Sequence, residues 1–203
     1  MLDGAIRRMI VPALDKMGAG LARRGVSANR VTLLGLAASL AMGVAIAVGW
    51  YWSALGLLGL SRLCDGLDGA VARHRGLSDF GGFLDIVCDF AFYAALPVGF
   101  ALASPSEYAL PATVLLASFY LNGASFLAFA AIAARRGLES TLRGPKSLYF
   151  TTGLAEGSET IAVFILMLAW PAAFSLLAYG FAGLCLVTCL GRIVFAFRTF
   201  SGG

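Results

Sequence analysis

Asp65, Asp68, Asp85 and Asp89 place four carboxylates in a stretch that otherwise reads as two apolar helices. A charge at mid-membrane depth costs roughly 2.5–3.5 kcal/mol on insertion scales. Four such groups close together repel one another, and they cannot all stay ionised unless positive charge sits between them. Carboxylate and water oxygens suit hard divalent cations such as Mg²⁺ or Mn²⁺. The residue types therefore point to a metal site inside a membrane protein, and so to catalysis or transport.

The spacing makes one site of the four acids. At about 100° per residue, Asp65, Asp68, Gly69 and Ala72 fall within about a 100° arc of one helix. Gly81, Asp85, Cys88, Asp89 and Phe92 form a similar stripe on the next. Gly69 and Gly81 leave room for a close helix or a bulky ligand beside the backbone. The run Asp65-Gly66-Leu67-Asp68-Gly69-Ala70-Val71-Ala72-Arg73, followed by Gly81, Asp85 and Asp89, resembles the signature of the CDP-alcohol phosphotransferase family, Asp-x2-Asp-Gly-x2-Ala-Arg and then Gly-x3-Asp-x3-Asp. Every fixed position is present. The spacer between Arg73 and Gly81 is one residue shorter than is common in the family, a change placed in the turn around Gly76.

The resemblance implies an enzyme of phospholipid synthesis. It would transfer a phosphatidyl group from CDP-diacylglycerol, or a related CDP-alcohol, to the hydroxyl of an acceptor alcohol and release CMP. Two ions, Mg²⁺ or Mn²⁺, held by Asp65, Asp68, Asp85 and Asp89 would bridge carboxylates and phosphate oxygens and stabilise the leaving group. Asp89, the last acid of the array, is the expected base for the acceptor hydroxyl, and the resemblance implies the same role. Arg73 offers a planar donor fork to phosphate oxygens; its plainer role is a positive-inside anchor. Gly69, Ala72 and Gly81 are expected on the nucleotide and phosphate side. Asn29 and Thr32, one helical turn apart, could hydrogen-bond the nucleotide. They resemble an Asn-x2-Thr element common near this position in the family, with Ala28 where a proline often stands; capping of the first span is their other reading.

Arg143, Lys146, Glu156, Glu159 and Arg192 are the expected acceptor-side residues. Charges in apolar context usually face a cavity or pair with each other, so a structural Glu–Arg pair competes with acceptor binding, as membrane-surface contact does for the loop carrying Arg143 and Lys146. Arg62, one turn before Asp65, is expected to partner the acidic cluster or a lipid phosphate. His74 reads as a solvated turn residue. Cys64, Cys88, Cys185 and Cys189 read as small core fillers, since thiolates suit softer ions.

The elements that must carry this site are membrane helices. The chain is 60% hydrophobic with a mean hydropathy of +0.86, far outside the soluble norm. Apolar segments at 31–50, 52–71, 80–103, 108–134, 152–170 and 172–197 are each long enough to span, at roughly 20 residues per crossing. Residues 1–22 lack the uninterrupted apolar core of a secretory signal. Ile6, Met9, Ile10, Leu14, Met17 and Leu21 recur at helical spacing opposite Arg7, Arg8, Asp15 and Lys16, which predicts an interfacial amphipathic helix. The predicted fold is all-α: a polytopic membrane protein with six transmembrane helices and this N-terminal helix, divided as 1–22 juxtamembrane and 23–203 catalytic.

Lys and Arg cluster before the first span and after the second, fourth and sixth, while the three opposite loops carry none. This positive-inside pattern puts both termini and the acidic site on the cytoplasmic side of a cytoplasmic or plasma membrane. A pI near 9.1 reflects basic loops suited to anionic headgroups and phosphorylated substrates, and nucleic-acid binding is the weaker reading. Small and polar positions on spans four and six, Asn122, Gly123 and Ser125 with Gly180, Gly183 and Gly191, predict helix-on-helix packing in a homodimer. A divalent-cation channel or transporter is the alternative of a different class, since intramembrane Asp also marks ion pathways. A conducting path needs polar residues along the whole crossing, whereas the far halves of spans two and three are apolar. A non-catalytic scaffold would not need the complete acidic set.

Overall fold

The computed structural model describes residues 2–137 and 157–201. The elements are α1 (Leu2–Arg23), α2 (Ala28–Ala47), α3 (Tyr51–Arg75), α4 (Asp79–Ala103), α5 (Pro105–Arg135), α6 (Gly157–Ala169), a short 3-10 turn (Pro171–Ala173) and α7 (Phe174–Phe200). No strand occurs among the described residues. The described residues of each predicted apolar segment fall chiefly on one of the helices α2 to α7. Helices α2, α4, α5 and the stretch Pro171–Phe200 are long and apolar enough to cross a membrane. Helix α3 is equally long but carries Arg62, Asp65, Asp68, Arg73 and Arg75, and α6 is described over 13 residues only. The chain divides into two compact units, 1–109 and 110–203, with the boundary early in α5.

In the first unit α2 packs on both α3 and α4, and α1 packs on α3. Small residues four apart on α2, namely Gly35, Ser39 and Gly43, let the backbones approach, as small-xxx-small faces do where no water drives helices together. A Cβ on Gly35 would stand 3.1 Å from Cys64 Cβ, and one on Gly43 2.9 Å from the Ala95 carbonyl oxygen. From the α4 side, a Cβ on Gly99 would lie 2.6 Å from Gly43 O and 2.9 Å from Ile46 Cβ. Met42, Ile46, Leu58, Phe92, Leu96 and Phe100 fill the buried interior around these contacts. Leu33, Leu34, Leu40 and Val44 on the other face of α2 are exposed, as lipid-facing residues are.

Helix α1 seats its small residues on α3: Gly18 lies against Ala70, and Leu14 reaches over Gly66. Leu14, Leu21 and Val26 pack on the buried Val31, Cys64 and Leu67. Gly66 and Ala70 lie on a different flank of α3 from Asp65 and Asp68. Helix α3 ends at Gly76, whose φ of 105° is costly for any residue with a Cβ. Only residues 76–78 separate it from α4, where the Ser78 hydroxyl accepts the Gly81 amide at 3.1 Å and caps the helix.

In the second unit, Phe119 of α5 meets Phe164 of α6 and Phe181 of α7 with ring centroids 6.1 and 6.0 Å apart. Phe129 lies against Phe195 and Phe200 at 5.4 and 5.0 Å. Arg192 is buried, and its Nη1 donates to Asn122 O at 2.9 Å, Asn122 Oδ1 at 3.0 Å and Ser125 Oγ at 2.6 Å.

The α2–α4 contact has no space for added volume at Gly99. Gly99→Val is expected to destabilise the detergent-solubilised protein by about 1–3 kcal/mol, seen as a lowered thermal midpoint; an unchanged midpoint would show that the helices are not this close.

Candidate active site

The second half of α3 and the first half of α4 are joined by the three-residue turn, and α2 packs on both of them. Asp65, Asp85 and Asp89 each present a carboxylate oxygen, and the three atoms lie within 4.8 Å of one another. Asp68 lines the same cleft. It is only 6% exposed, and its Oδ2 is buried with no hydrogen-bond partner among the described residues. An ionised oxygen in that position calls for a cation or a donor that arrives from outside the chain. Three converging carboxylates and one orphaned carboxylate oxygen form a hard, all-oxygen donor set, and it fits Mg²⁺ or Mn²⁺. Cys64 and Cys88 are buried next to the acids and add no hard ligand.

The cleft is partly open and is lined by residues of α2, α3 and α4. Thr32 and Ser39 face it from α2. The Thr32 hydroxyl donates to Ala28 O at 3.1 Å. Neither Asn29 nor Thr32 caps α2, because the N-cap position belongs to Ser27. Asn29 Oδ1 stands 3.4 Å from where a Cβ of Gly81 would be, which joins the Asn-x2-Thr element to the second half of the signature. At Gly69 a Cβ would meet only Arg73 Nη1, at 3.7 Å, so the backbone there is open to a ligand. Ala72 is half-buried.

Arg73 is half-exposed and reaches away from the acids: its Nη2 lies 3.4 Å from Asp15 Oδ1 on α1. His74 Nε2 lies 3.3 Å from the other oxygen of the same carboxylate, and Arg75 donates to Val26 O at 3.1 Å. Exposed pairs of this kind contribute about 0–1 kcal/mol, so Arg73 can exchange Asp15 for a phosphate at little cost. Arg62 holds the position of a resident cation, with Nη1 at 3.2 Å from Asp89 Oδ1 and 3.6 Å from Asp65 Oδ2. Partnership with the acidic cluster, one of the two roles expected for Arg62, is therefore visible in the geometry.

Of the expected acceptor-side residues, Arg143, Lys146 and Glu156 lie outside the described residues. Glu159 begins α6 and accepts the Ser158 hydroxyl at 2.9 Å, and Arg192 binds Asn122 and Ser125 as above. Asp15, Ser39, Ser61 and Phe92 are contributors that sequence reasoning did not assign to the chemistry. Phe92 one turn beyond Asp89 and Ser61 beside Arg62 carried the only advance signal, their place on the acidic stripes.

The chain is similar to several known proteins. The profile of the family described as CDP-alcohol phosphatidyltransferase matches residues 26–197. The inner membrane protein YnjF of Escherichia coli is 44% identical over 193 residues, covering 95% of this chain and 94% of that protein. The archaetidylinositol phosphate synthase of Pyrococcus horikoshii is 30% identical over 118 residues, covering 58% of this chain and 63% of that protein. Among solved structures, Mycobacterium tuberculosis phosphatidylinositol phosphate synthase (PgsA1) with CDP-DAG bound shares the fold at a TM-score of 0.74 and 24% identity, over 91% of this chain and 93% of that one. The same synthase with manganese and citrate gives 0.69 and 25%, over 89% and 87%. With its membrane-long helices and these relatives, the chain is an integral membrane protein.

Asp68→Asn and Asp85→Asn each remove one charge from the donor set. Each is expected to weaken Mn²⁺ binding by the substrate-free protein about tenfold or more, because affinity at oxygen sites follows ligand charge. Electron paramagnetic resonance of free Mn²⁺ measures it, and wild-type affinity in both variants would remove these residues from the ligand set.

Proposed function

This chain belongs to the CDP-alcohol phosphatidyltransferase family, and we propose that it transfers a phosphatidyl group from CDP-diacylglycerol to an acceptor alcohol, releasing CMP, at the Asp65–Asp68–Asp85–Asp89 cleft. That it is a CDP-alcohol phosphotransferase of phospholipid biosynthesis follows from the family. The observation that carries the assignment of the site is the convergence of the Asp65, Asp85 and Asp89 carboxylates beside the orphaned Asp68 oxygen, in a chain with every fixed position of the signature.

Two divalent ions, Mg²⁺ or Mn²⁺, would be held by the four carboxylates and when bound would neutralise the pyrophosphate and polarise the phosphorus under attack. Manganese in the relative solved with citrate supports a divalent metal. The chain's own groups do the rest. Asn29, Thr32, Gly69, Ala72 and Gly81 receive the nucleotide and its phosphates, and Arg73 turns from Asp15 to a phosphate oxygen. Asp89 accepts the proton of the acceptor hydroxyl as that oxygen bonds to the lipid-side phosphorus. The bond from this phosphorus to the bridging oxygen breaks, and the electron pair leaves with CMP. Glu159 and Arg192, with Arg143, Lys146 and Glu156, are proposed for the acceptor side.

The same reading has six spans, with α3 and α6 crossing beside the four apolar ones, residues 1–22 as a juxtamembrane amphipathic helix and 23–203 as the catalytic domain. The positive-inside pattern supports cytoplasmic termini and a cytoplasmic site. A homodimer is supported by Gly180, Gly183 and Gly191, where an added Cβ would meet nothing within 4 Å. No nucleic acid enters the reading.

The test is CMP release from CDP-diacylglycerol by purified protein with an acceptor panel and mass spectrometry of the lipid product. Inositol phosphate comes first, because synthases of inositol-phosphate lipids stand among the relatives. Excess EDTA is expected to abolish release and added Mg²⁺ or Mn²⁺ to restore it; full release in EDTA would overturn the metal role. Asp89→Asn is expected to lower kcat by about 10²–10⁴, the usual worth of a general base, with donor KM near wild type. Near-native turnover in that variant would assign the proton to another group.

A further inference from the structure

Arg62 lies at the end of the cleft away from the α3–α4 turn, one helical turn from Asp65. Its guanidinium carbon stands 3.6 Å over the centroid of the Phe92 ring, and Phe92 is fully buried. Its Nη2 donates to Ser61 Oγ at 3.2 Å. The Ser61 hydroxyl shares a 2.8 Å bond with Ser39 Oγ, which also bonds Gly35 O at 2.8 Å. An aromatic face and a hydroxyl chain anchored in α2 thus fix one orientation of the guanidinium. In that orientation Nη1 meets Asp89 Oδ1 at 3.2 Å and Asp65 Oδ2 at 3.6 Å. The Nε is buried without a partner, so the chain tolerates an unsatisfied donor to keep the fork where it is.

A half-buried guanidinium contributes little by stability alone, because desolvation offsets much of the Coulomb gain. This one is held by α2, α3 and α4 together, and the two carboxylates it touches both belong to the converging set. We propose that Arg62 is a positioning residue for the transfer reaction: it orients the Asp89 carboxylate and competes with divalent metal for the Asp65–Asp89 edge of the site. The inference rests on the metal and donor reading above and adds a residue outside the family signature. Two consequences are separable. Removing the charge frees the Asp65–Asp89 edge, so the substrate-free protein binds metal more tightly. Removing the fork frees Asp89, so turnover falls even when metal and donor are bound.

The experiment uses the full chain in lipid nanodiscs, with Mn²⁺ titration of the substrate-free protein followed by electron paramagnetic resonance, and steady-state CMP release. Arg62→Gln is expected to raise Mn²⁺ affinity by about fivefold or more, from loss of a cation within about 4 Å, and to lower kcat by about tenfold or more while donor KM at saturating metal stays near wild type. Arg62→Lys keeps the charge but not the planar fork; it is expected to hold Mn²⁺ affinity near wild type and still lower kcat. Unchanged or weaker Mn²⁺ binding in Arg62→Gln would overturn the competition, and unchanged kcat in either variant would overturn the positioning of Asp89. If Arg62→Gln does not fold, Arg62→Lys decides by its kcat. A wild-type protein that binds no Mn²⁺ or releases no CMP overturns the underlying reading; wild-type binding and turnover with silent Arg62 variants overturns this inference alone.

Discussion

The rest of the first unit depends on the electrostatics of four carboxylates in an apolar helix pair. Like charges at this spacing push the helices apart, and the surrounding low dielectric strengthens that repulsion. The structure answers it with backbone contact and one internal cation. The small residues at Gly35, Ser39, Gly43 and Gly99 bring α2 against both acidic helices, and close packing supplies attraction that hydrophobic burial cannot supply inside lipid. Arg62 then meets two of the four charges directly. What remains uncompensated, the Asp68 oxygen above all, is the part of the charge that the described residues do not answer.

The parts that charge and spacing dictate were legible in the sequence. The helical order of α2 to α7 followed from apolar runs, and the facing of Asp65 and Asp68 toward Asp85 and Asp89 followed from the 3.6-residue period and a short turn. What stayed hidden depends on partners. Periodicity assigned α1 an apolar stripe but could not show that Gly18 and Leu14 are seated on Ala70 and Gly66. Arg73 was expected at a phosphate and rests on Asp15, a residue fifty-eight positions away, which no local pattern connects to it. The stacking of Arg62 on Phe92 joins α3 to α4, while the Gly43–Gly99 approach joins α2 to α4; both are read from backbone placement rather than from residue types.

The division of labour inside α3 explains how one helix can hold several tasks. One flank, through Gly66 and Ala70, takes α1; another, through Ser61 and Cys64, takes α2; the acids occupy the sector between α2 and α4. Glycine and alanine at the contacts let neighbours approach without displacing the charged side chains. The polar cluster around Arg192 in the second unit follows a different rule. There one cation gathers backbone and side-chain oxygens of α5 at 2.6–3.0 Å and ties α5 to α7.

The described residues that line the cleft come from positions 32 to 89, ahead of the second unit in the chain. This order bears on biogenesis. During synthesis α2, α3 and α4 leave the ribosome before α6 and α7 exist, so the costliest segment to insert must be accommodated by what has already been made. Each aspartate on its own disfavours entry into lipid by roughly 2.5–3.5 kcal/mol. A hairpin with a three-residue turn, carrying its own arginine counter-ion, can enter as a unit with part of that charge already paired. The later helices are made after that charge has been accommodated. Their sequences can drift, or adapt to a different alcohol, without endangering the assembly of the transfer machinery.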